Sequence, residues 1–550
     1  MDHLLARRLL VAVLIPCCLL LLFAFPAASA VKEASRHERL RLALDATAQR
    51  LGQALAALNA VDVAPISSVA PFSAYSSSPA LAAAARVDCA ELLEESLQLL
   101  AAAGRNGAAS DDVVTWLSAA LTNHDTCADS LVEAGVSDNA PHLATARAMV
   151  RDCLAMYVSV AAETATATTT QGVAGNPDAK NGCSCNVPKH DVRGFPRWLL
   201  KRDRRLLLAP AASLAHSADI VVAKDGTGTH SAISDAVKAA PECSERRTVI
   251  YVKAGRYDEN VKVGMKKTNL VFVGDGKGVT VVAGSRSVAD NYTTFQTATF
   301  AASGTGFMMR DMTVENWAGP AKHQAVALRV SADRAVVHRC NIIGYQDTLY
   351  AHSNRQFYRD CDVYGTVDFV FGNAAAVLQR CNLWARAPLP GQKNTVTAQN
   401  RREPCQDTGL VLHACRVVAA PDLAVTAPAP AALTATAPAP DHVPLLAPTY
   451  LGRPWKPYSR VVVMMSYIGA HVPPQGWLEW NASTYALDTL YYGEYMNYGP
   501  GAGVAGRVPW PGHRVINDTV EAEMFTVARF IAGASWLPAT GVSFLAGLSL

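Results

Sequence analysis

Beyond its first 25 residues, the sequence lacks an apolar run long enough to cross a membrane. It also lacks a strong charge of either sign, since 49 Lys and Arg residues against 46 Asp and Glu residues leave a net charge of +3 over 550 residues. The first absence argues against a protein with several membrane-spanning helices. The second gives no reason to expect a nucleic-acid partner. Hydrophobic residues make up 50% of the chain, as in ordinary globular proteins, and the length suggests two or more domains.

The N-terminal segment has the pattern of a secretory signal. Arg7 and Arg8 precede an apolar run over residues 9–25, and the small residues Ala28-Ser29-Ala30 follow. We therefore predict a signal peptide over residues 1–30. An uncleaved signal anchor is the alternative, because the run approaches the length of a short membrane span.

The rest of the chain divides into two halves that differ in composition and in the spacing of their apolar residues. Residues 31–160 are rich in Ala and Leu at helical spacing, which predicts a small helical bundle. Residues 161–215 have the composition of a linker and contain the basic cluster Arg204-Arg205-Leu206-Leu207. Paired basic residues in an exposed linker are a candidate site for a processing protease, although a solvated basic stretch is an equally good interpretation. Residues 216–550 are β-rich.

Polar residues recur at equal intervals within the β-rich half. Gln324, Gln346 and Asp368 are separated by 346 − 324 = 22 and 368 − 346 = 22 residues. The segments between them contain short apolar runs broken by Gly, Asn and Asp, too short for helices. Short strands at such a period predict a mainly β solenoid, a right-handed parallel β-helix. In this fold, residues one coil apart in sequence lie on neighbouring strands of one face.

The cysteines follow a similar interval. Cys340 and Cys361 are 361 − 340 = 21 residues apart, so we expect them on adjacent coils, about 4.8 Å apart. That separation lies within the Cα distance that a disulfide tolerates, and an exported protein can form disulfides. We therefore predict a Cys340–Cys361 bridge. Cys381, Cys405 and Cys415 offer other pairings that the sequence does not decide.

The recurring polar residues suggest a catalytic site. Asp347, beside Gln346, and Asp368 would lie close enough for their ionisations to be coupled, so that one pKa rises and the other falls. One carboxyl group could then act as nucleophile and the other as proton donor. Gln324 and Gln346 could donate hydrogen bonds to an oxyanion, as an ester hydrolase requires. Two carboxylates could equally cleave a glycosidic bond, but the amide donors favour acyl chemistry.

A segment further along the chain could bind an acidic sugar. Arg453, in Leu451-Gly452-Arg453-Pro454-Trp455, could hold a carboxylate in bidentate geometry, and Trp455 offers a flat face for a sugar ring. Taken singly, each of these residues is more often structural than functional. Their combination at equal spacing favours a site.

Several segments, in order, closely resemble signature segments of plant pectin methylesterases, and the resemblance runs from about Ala218 to Phe525. These are Gly255-Arg256-Tyr257-Asp258-Glu259-Asn260, Lys322-His323-Gln324-Ala325-Val326-Ala327-Leu328-Arg329-Val330, Tyr345-Gln346-Asp347-Thr348-Leu349-Tyr350, Gly365-Thr366-Val367-Asp368-Phe369-Val370-Phe371-Gly372 and Leu451 to Trp455.

The resemblance implies a role for each candidate residue. It implies that Asp368 is the nucleophile, that Asp347 is the proton donor and later the base, and that Gln346 and Gln324 stabilise the oxyanion. It further implies that Arg453 orients Asp368 and the substrate, and that the cleft is lined by Trp455 and Thr294. The implied substrate is methylesterified pectin, and no metal or organic cofactor is implied.

The first half resembles the pectin methylesterase inhibitor domain, a four-helix bundle. The similar segments are Asp88-Cys89-Ala90-Glu91-Leu92 and Val114-Thr115-Trp116-Leu117-Ser118-Ala119-Ala120-Leu121, followed by Cys127. The resemblance makes Cys89 and Cys127 a candidate bridge and makes Arg204 and Arg205 a candidate processing site of a two-domain proenzyme. The cysteine pair usual in the N-terminal hairpin of that domain is absent between Val31 and Asp88.

We therefore expect a secreted, monomeric enzyme of the cell wall or apoplast, with its own bundle or separate inhibitor proteins as partners. Asn291, Asn481 and Asn517 are candidate glycosylation sites. A pectate lyase or a polygalacturonase on the same solenoid is the first alternative. A wall-binding scaffold, in which the bundle is the functional part, is the second.

Overall fold

The computed structural model describes residues 38–58, 78–105, 107–136, 141–169, 217–425 and 447–548. The predicted signal segment and the predicted processing site at Arg204 and Arg205 lie outside these ranges. Within them, every helix is too short or too polar to cross a membrane.

The N-terminal half is helical. Its helices are α1 (residues 38–58), α2 (Pro79–Ala103), α3 (Ser110–Glu133) and α4 (Pro141–Thr169). Helix α2 begins where Ser78 is extended and Pro79 occupies the first turn, a position at which proline loses no hydrogen bond. The Cys89–Cys127 disulfide joins α2 to α3. The predicted helical bundle is confirmed.

The second half winds through three parallel sheets. The long sheet contains β1 (Ile220–Val222), β2 (Thr248–Val252), β5 (Leu270–Gly274), β8 (Met308–Arg310), β11 (Ala335–His338), β14 (Arg355–Arg359), β17 (Ala375–Gln379), β20 (Gly409–His413), β23 (Arg460–Met464), β25 (Tyr491–Tyr495) and β26 (His513–Val515). The cleft sheet contains β4 (Val261–Val263), β7 (Phe300–Ala302), β10 (Leu328–Val330), β13 (Leu349–Ala351), β16 (Val370–Gly372), β19 (Asn394–Gln399) and β22 (Thr449–Pro454). The third sheet contains β3 (Gly255–Asp258), β6 (Thr280–Gly284), β9 (Thr313–Asn316), β12 (Asn341–Ile343), β15 (Asp362–Gly365), β18 (Asn382–Ala385), β21 (Arg416–Ala419) and β24 (Tyr467–Ile468).

Each coil places its apolar residues inside the solenoid. Leu328 pairs with Leu349, and Leu349 pairs with Val370, on successive strands of the cleft sheet. All three are fully buried in a core formed by residues between Val222 and Val508. The predicted parallel β-helix is confirmed, and its core is built without residues of the helical bundle.

Short helices cover parts of the β-helix. Helix α5 (Ile233–Ala239) contributes Ile233, Ala236 and Val237 to the core near the first coils. Helices α7 (Thr519–Glu523), α8 (Val527–Phe530) and α9 (Gly533–Trp536) pack on the outer face of the long sheet. The remaining short elements are α6 (Pro421–Val425) and the 3-10 helices Val288–Asp290, Thr294–Thr297, Pro320–Lys322 and Leu537–Thr540.

The prediction of a Cys340–Cys361 disulfide is wrong. Both residues are fully buried free thiols, and their Sγ atoms face backbone carbonyls, with Cys361 Sγ 3.4 Å from Val337 O. In-register parallel strands point equivalent side chains in the same direction, so the Cβ atoms stay about one strand spacing apart, near 4.8 Å. That separation exceeds the roughly 3.5–4.5 Å between Cβ atoms in disulfides. The Cα distance alone was a misleading guide.

Candidate active site

The predicted site residues share one cavity on the outer face of the cleft sheet. Thr294, Gln324, Gln346, Asp347, Asp368, Arg453 and Trp455 all line it. Sequence spacing alone indicated the two glutamines and the two aspartates as neighbours, and the structure places them so.

Asp347 and Asp368 occupy equivalent corners, two residues before β13 and β16. Both have positive φ, 62° and 53°, a conformation that few residues other than glycine adopt. The corner is fixed by hydrogen bonds: Asp347 N donates to Val367 O at 3.1 Å, and Asp368 N donates to Thr395 Oγ1 at 2.8 Å. The carboxyl groups are thereby held on rigid elements rather than on a loose loop.

The carboxylate of Asp368 is bound from two sides. Arg453, on β22, donates from Nε to Oδ1 at 2.8 Å and from Nη2 to Oδ2 at 2.7 Å, a bidentate pair. Thr395 Oγ1 donates to Oδ1 at 2.6 Å. The charge of Asp368 is therefore compensated by residues of the β-helix itself.

Asp347 has a different environment. It is 7% exposed, and burial, followed by the charge of Asp368, raises its pKa well above the usual range, while Arg453 opposes the shift. Such surroundings favour the neutral, protonated form of a carboxyl group over the charged form. The rise that the sequence predicted for one member of the pair is found at Asp347.

The glutamines are positioned by their main chains. Ala325 N donates to Gln346 O at 3.2 Å, and Val288 N donates to Gln324 O at 3.0 Å. His323, immediately before Gln324, has φ 60° and ψ −136°, a strained backbone conformation for a residue with a Cβ. Both side chains face the cavity that contains the two aspartates.

Aromatic residues that sequence reasoning missed complete the cavity. Tyr350 and Phe371 pair in register and stack with ring centroids 4.2 Å apart. Each lies three residues after a catalytic candidate aspartate, so the same interval could have revealed them. Arg453 lies over the ring of Trp480 at 4.4 Å. Trp480 is not related to the other cavity residues by the 22-residue interval, and its neighbours in the sequence do not indicate a place in the site.

Comparison with known proteins agrees with this geometry. The family model described as "Pectinesterase" matches residues 219–534, and the model described as "Plant invertase/pectin methylesterase inhibitor" matches residues 17–171. The chain belongs to the pectinesterase family. The prediction of a pectinesterase, a carboxylic ester hydrolase, preceded by an inhibitor-like domain is confirmed. A pectate lyase, a polygalacturonase and a non-enzymatic scaffold are set aside.

Individual pectinesterases show the same two-part relation. A "Probable pectinesterase/pectinesterase inhibitor 34" of Arabidopsis thaliana is 55% identical over 86% of this chain and 76% of its own length. A "Probable pectinesterase/pectinesterase inhibitor 61" of the same plant is 49% identical over 94% of this chain and 83% of its own. The solved "Pectin methylesterase from Carrot" is 52% identical with a TM-score of 0.56, and the match covers 60% of this chain and 98% of the carrot chain. The matched share of this chain is close in length to the β-helix half, and it accounts for nearly the whole carrot chain.

In this pectinesterase, helix α3 of the inhibitor-like domain lies in the cleft. Its residues Thr126, Asp129, Ser130 and Glu133 line the same cavity as the aspartates. Glu133 accepts hydrogen bonds from Thr294 N and Thr294 Oγ1, both at 3.0 Å. Thr294, a predicted substrate-binding residue, is thus engaged by the inhibitor-like domain.

Further contacts between the halves flank the cavity. Arg334 and Arg355 donate to Asp112, at the start of α3, at 2.9 and 2.7 Å. Thr126 Oγ1 lies 2.9 Å from His352 Nε2. Gln296 Nε2 donates to Asp88 at 2.7 Å. The helical domain is therefore held to the β-helix by several polar contacts in addition to those of Thr294.

Proposed function

We propose that the cavity hydrolyses the methyl esters of galacturonate residues in pectin, giving methanol and demethylated pectin. The observation that carries this proposal is the contrast between two neighbouring carboxyl groups. Asp368 is a carboxylate held by Arg453, whereas burial and the charge of Asp368 raise the pKa of Asp347. The first group is suited to attack a carbonyl carbon, and the second is suited to donate a proton.

The first half of the reaction forms an acyl-enzyme. An oxygen of Asp368 attacks the ester carbonyl carbon, and the carbonyl electrons move to the oxygen. The side-chain amides of Gln346 and Gln324 stabilise this oxyanion, each donor being worth about 3–4 kcal/mol in comparable enzymes. The bond to the methoxy group then breaks, and Asp347 gives its proton to the departing oxygen. Methanol leaves, and the galacturonyl group remains bound to Asp368 as an anhydride.

The second half of the reaction releases the product. Asp347, now a carboxylate, accepts a proton from a water molecule as the water attacks the galacturonyl carbonyl. Collapse of the second tetrahedral intermediate frees Asp368 and a galacturonate carboxyl group, and Asp347 is protonated again. Trp455 offers its ring to a sugar face, and Arg453 keeps Asp368 in the orientation for attack.

Substitution of the nucleophile tests the proposal. Asp368→Asn keeps the shape of the side chain and removes its charge, so methanol release from methylated pectin should fall by about 10⁴-fold, as when a catalytic nucleophile is lost. Asp258→Asn, at an exposed surface pair with Arg256, is the matched control and should retain full activity. Polymer length should not change with either protein. Unchanged methanol release by Asp368→Asn would disprove the assignment.

We also propose that the inhibitor-like domain blocks the cleft in the full chain. Glu133 takes the hydrogen-bond donors of Thr294, and Asp129 lies against the same cavity. A pectin chain could not reach Asp368 while α3 lies there. The chain would then be a proenzyme, active after the two halves separate.

Processing would achieve this separation. We propose that residues 1–30 direct secretion, that a protease cuts at Arg204 and Arg205, and that the released enzyme acts in the cell wall. The Cys89–Cys127 bridge agrees with an oxidising compartment. Replacing Arg204 and Arg205 by alanine should leave a single uncut chain with low activity, as followed by chain size and methanol release. A normally cut product from this variant would contradict the proposal.

A further inference from the structure

A pair of cations at the border of the catalytic cavity lacks an acid of its own domain. Arg402, 25% exposed at its side chain, and Lys456, 17% exposed, both lie close to Asp129 of helix α3. Arg402 Nη2 is 2.6 Å from Asp129 Oδ1, and Lys456 Nζ is 3.4 Å from the same oxygen. In the part of the chain that the structure describes, every ion pair of these two cations is made to the helical domain.

The pair differs from the other cations of the β-helix that meet the bundle. Arg355 has a bidentate partner, Asp333, in the β-helix itself, in addition to Asp112 of α3. Arg402 and Lys456 instead repel each other, and burial together with this repulsion lowers the pKa of Lys456. When α3 leaves, two positive charges remain side by side without the acids of that helix, and their mutual repulsion favours the binding of an anion.

Asp129 does not satisfy the pair completely. Its Oδ2 atom is buried and has no hydrogen-bond partner among the described residues, whereas Arg402 Nε makes no hydrogen bond but lies 3.6 Å from Asp125 Oδ2, a second acid of α3. A carboxylate free to choose its orientation could accept from both Arg402 and Lys456 with two oxygens, which a side chain fixed to α3 does not achieve. The site is therefore better matched to a mobile carboxylate than to Asp129.

The location of the pair connects it with the substrate. Lys456 Nζ lies 5.2 Å from the ring centroid of Trp455, which lines the cavity together with Asp129 and Asp368. Asp129 and Glu133 are four residues apart on α3, so their carboxylates are spaced by about 6 Å along the helix axis. A row of carboxylates along the cleft is also what a de-esterified galacturonate polymer presents.

We infer that Arg402 and Lys456 form a binding site for a free galacturonate carboxylate of pectin, and that Asp129 occupies this site in the full chain. The inference rests on the proposed function, because it places a site for the carboxylates of pectin beside the cavity that is proposed to hydrolyse its esters. A polymer already de-esterified on one side of the scissile ester is then held more tightly than a fully methylated polymer.

Binding of an unesterified galacturonate hexamer to residues 217–550, measured by calorimetry, tests the inference without requiring catalysis. This part has its own core and the extent of the carrot pectinesterase. Replacing both Arg402 and Lys456 by Gln should weaken binding roughly tenfold, the combined effect of two partly exposed ion pairs. Replacing Arg380 and Arg416, exposed cations outside the cleft sheet, by Gln removes the same charge and should leave binding unchanged. The full chain should bind the hexamer more weakly than residues 217–550.

Two results would overturn the inference: equal binding of the hexamer by the Arg402/Lys456 variant and the Arg380/Arg416 variant, or no binding by the parent protein. If the double variant has a lowered melting temperature, the single variants Arg402→Gln and Lys456→Gln give the same comparison, with each expected to weaken binding about threefold. Methanol release by the parent protein is measured separately, so failure of the proposed reaction would be recognised independently of failure of the carboxylate site.

Discussion

Two charged clusters border the same cavity, and they are completed in different ways. Asp368 and Arg453 form a bidentate pair within the β-helix, supported by Thr395. Among the described residues, the acids that pair with Arg402 and Lys456 all lie on the helical domain: Asp129 for both and Asp125 for Arg402. The comparison indicates that the contacts that hold Asp368 are independent of the bundle, whereas the second cluster depends on it. Separation of the halves should leave the first unchanged and the second in need of an anion.

The first cluster can be broken by a change of geometry alone. Arg453→Lys keeps the positive charge but removes the planar fork that holds both oxygens of Asp368. Because misplacing a catalytic group by about 1 Å can cost about 10²-fold, methanol release by residues 217–550 should fall by about that factor. Arg416→Lys, outside the cleft sheet, is the control. Full activity of Arg453→Lys would mean that the bidentate pair does not position the nucleophile.

The second cluster can be broken from the side of the bundle. Replacing Asp129 and Glu133 by Ala in the full chain removes the acid that Arg402 and Lys456 share, leaves Arg402 only Asp125, and frees Thr294. Docking of α3 should weaken, and methanol release by the full chain should rise roughly tenfold. Asp152→Ala, at an exposed pair with Arg151 on α4, should change nothing. A double variant as inactive as the parent would argue against a blocking role for these contacts.

The docking of the helical domain on the β-helix, on which the second cluster depends, should vary with pH. Burial raises the pKa of Asp88 to about 6 and that of Glu95 to about 7, from 3.8 and 4.5. Both groups face the β-helix through hydrogen bonds, Asp88 to Thr293 and Glu95 to Ser303. The docked state therefore binds more protons than the separated state between about pH 4 and pH 7. Docking is strongest below about pH 4 and weakens as pH rises through 6 to 7.

Dividing the rate of methanol release by the full chain by the rate for residues 217–550 cancels the pH dependence of the chemical step, which both proteins share. This ratio should increase several-fold between pH 5 and pH 7.5. Asp88→Asn together with Glu95→Gln keeps the shape of both side chains and should flatten the increase. A ratio that is constant with pH in the parent chain would show that these carboxyl groups do not titrate on separation.

The sequence determined the β-helix and the neighbouring glutamines and aspartates of the site because both follow from periodicity. An interval of 22 residues placed Gln324, Gln346 and Asp368 on neighbouring coils, and the coils are as expected. The same reasoning failed for Cys340 and Cys361, because side chains one coil apart point in the same direction and their Cβ atoms stay too far apart for a disulfide.

The second cluster could not be read from the sequence. Arg402 and Lys456 lie in the connecting segments after β19 and β22, and these segments show no regular interval. The acid that both residues contact, Asp129 of α3, precedes Arg402 by 273 residues and Lys456 by 327 residues. Trp480 is a further residue of this kind, since it reaches Arg453 from a loop. Contacts between two domains depend on tertiary geometry, for which spacing within one domain gives no signal.

The decisive measurement is methanol release from methylated pectin by residues 217–550, compared mole for mole with the full chain at pH 5. We expect residues 217–550 to release methanol at least about tenfold faster, since α3 no longer lies over Asp347 and Asp368, and we expect polymer length to stay constant in both reactions. Equal rates from the two proteins, or a shortened polymer, would contradict it.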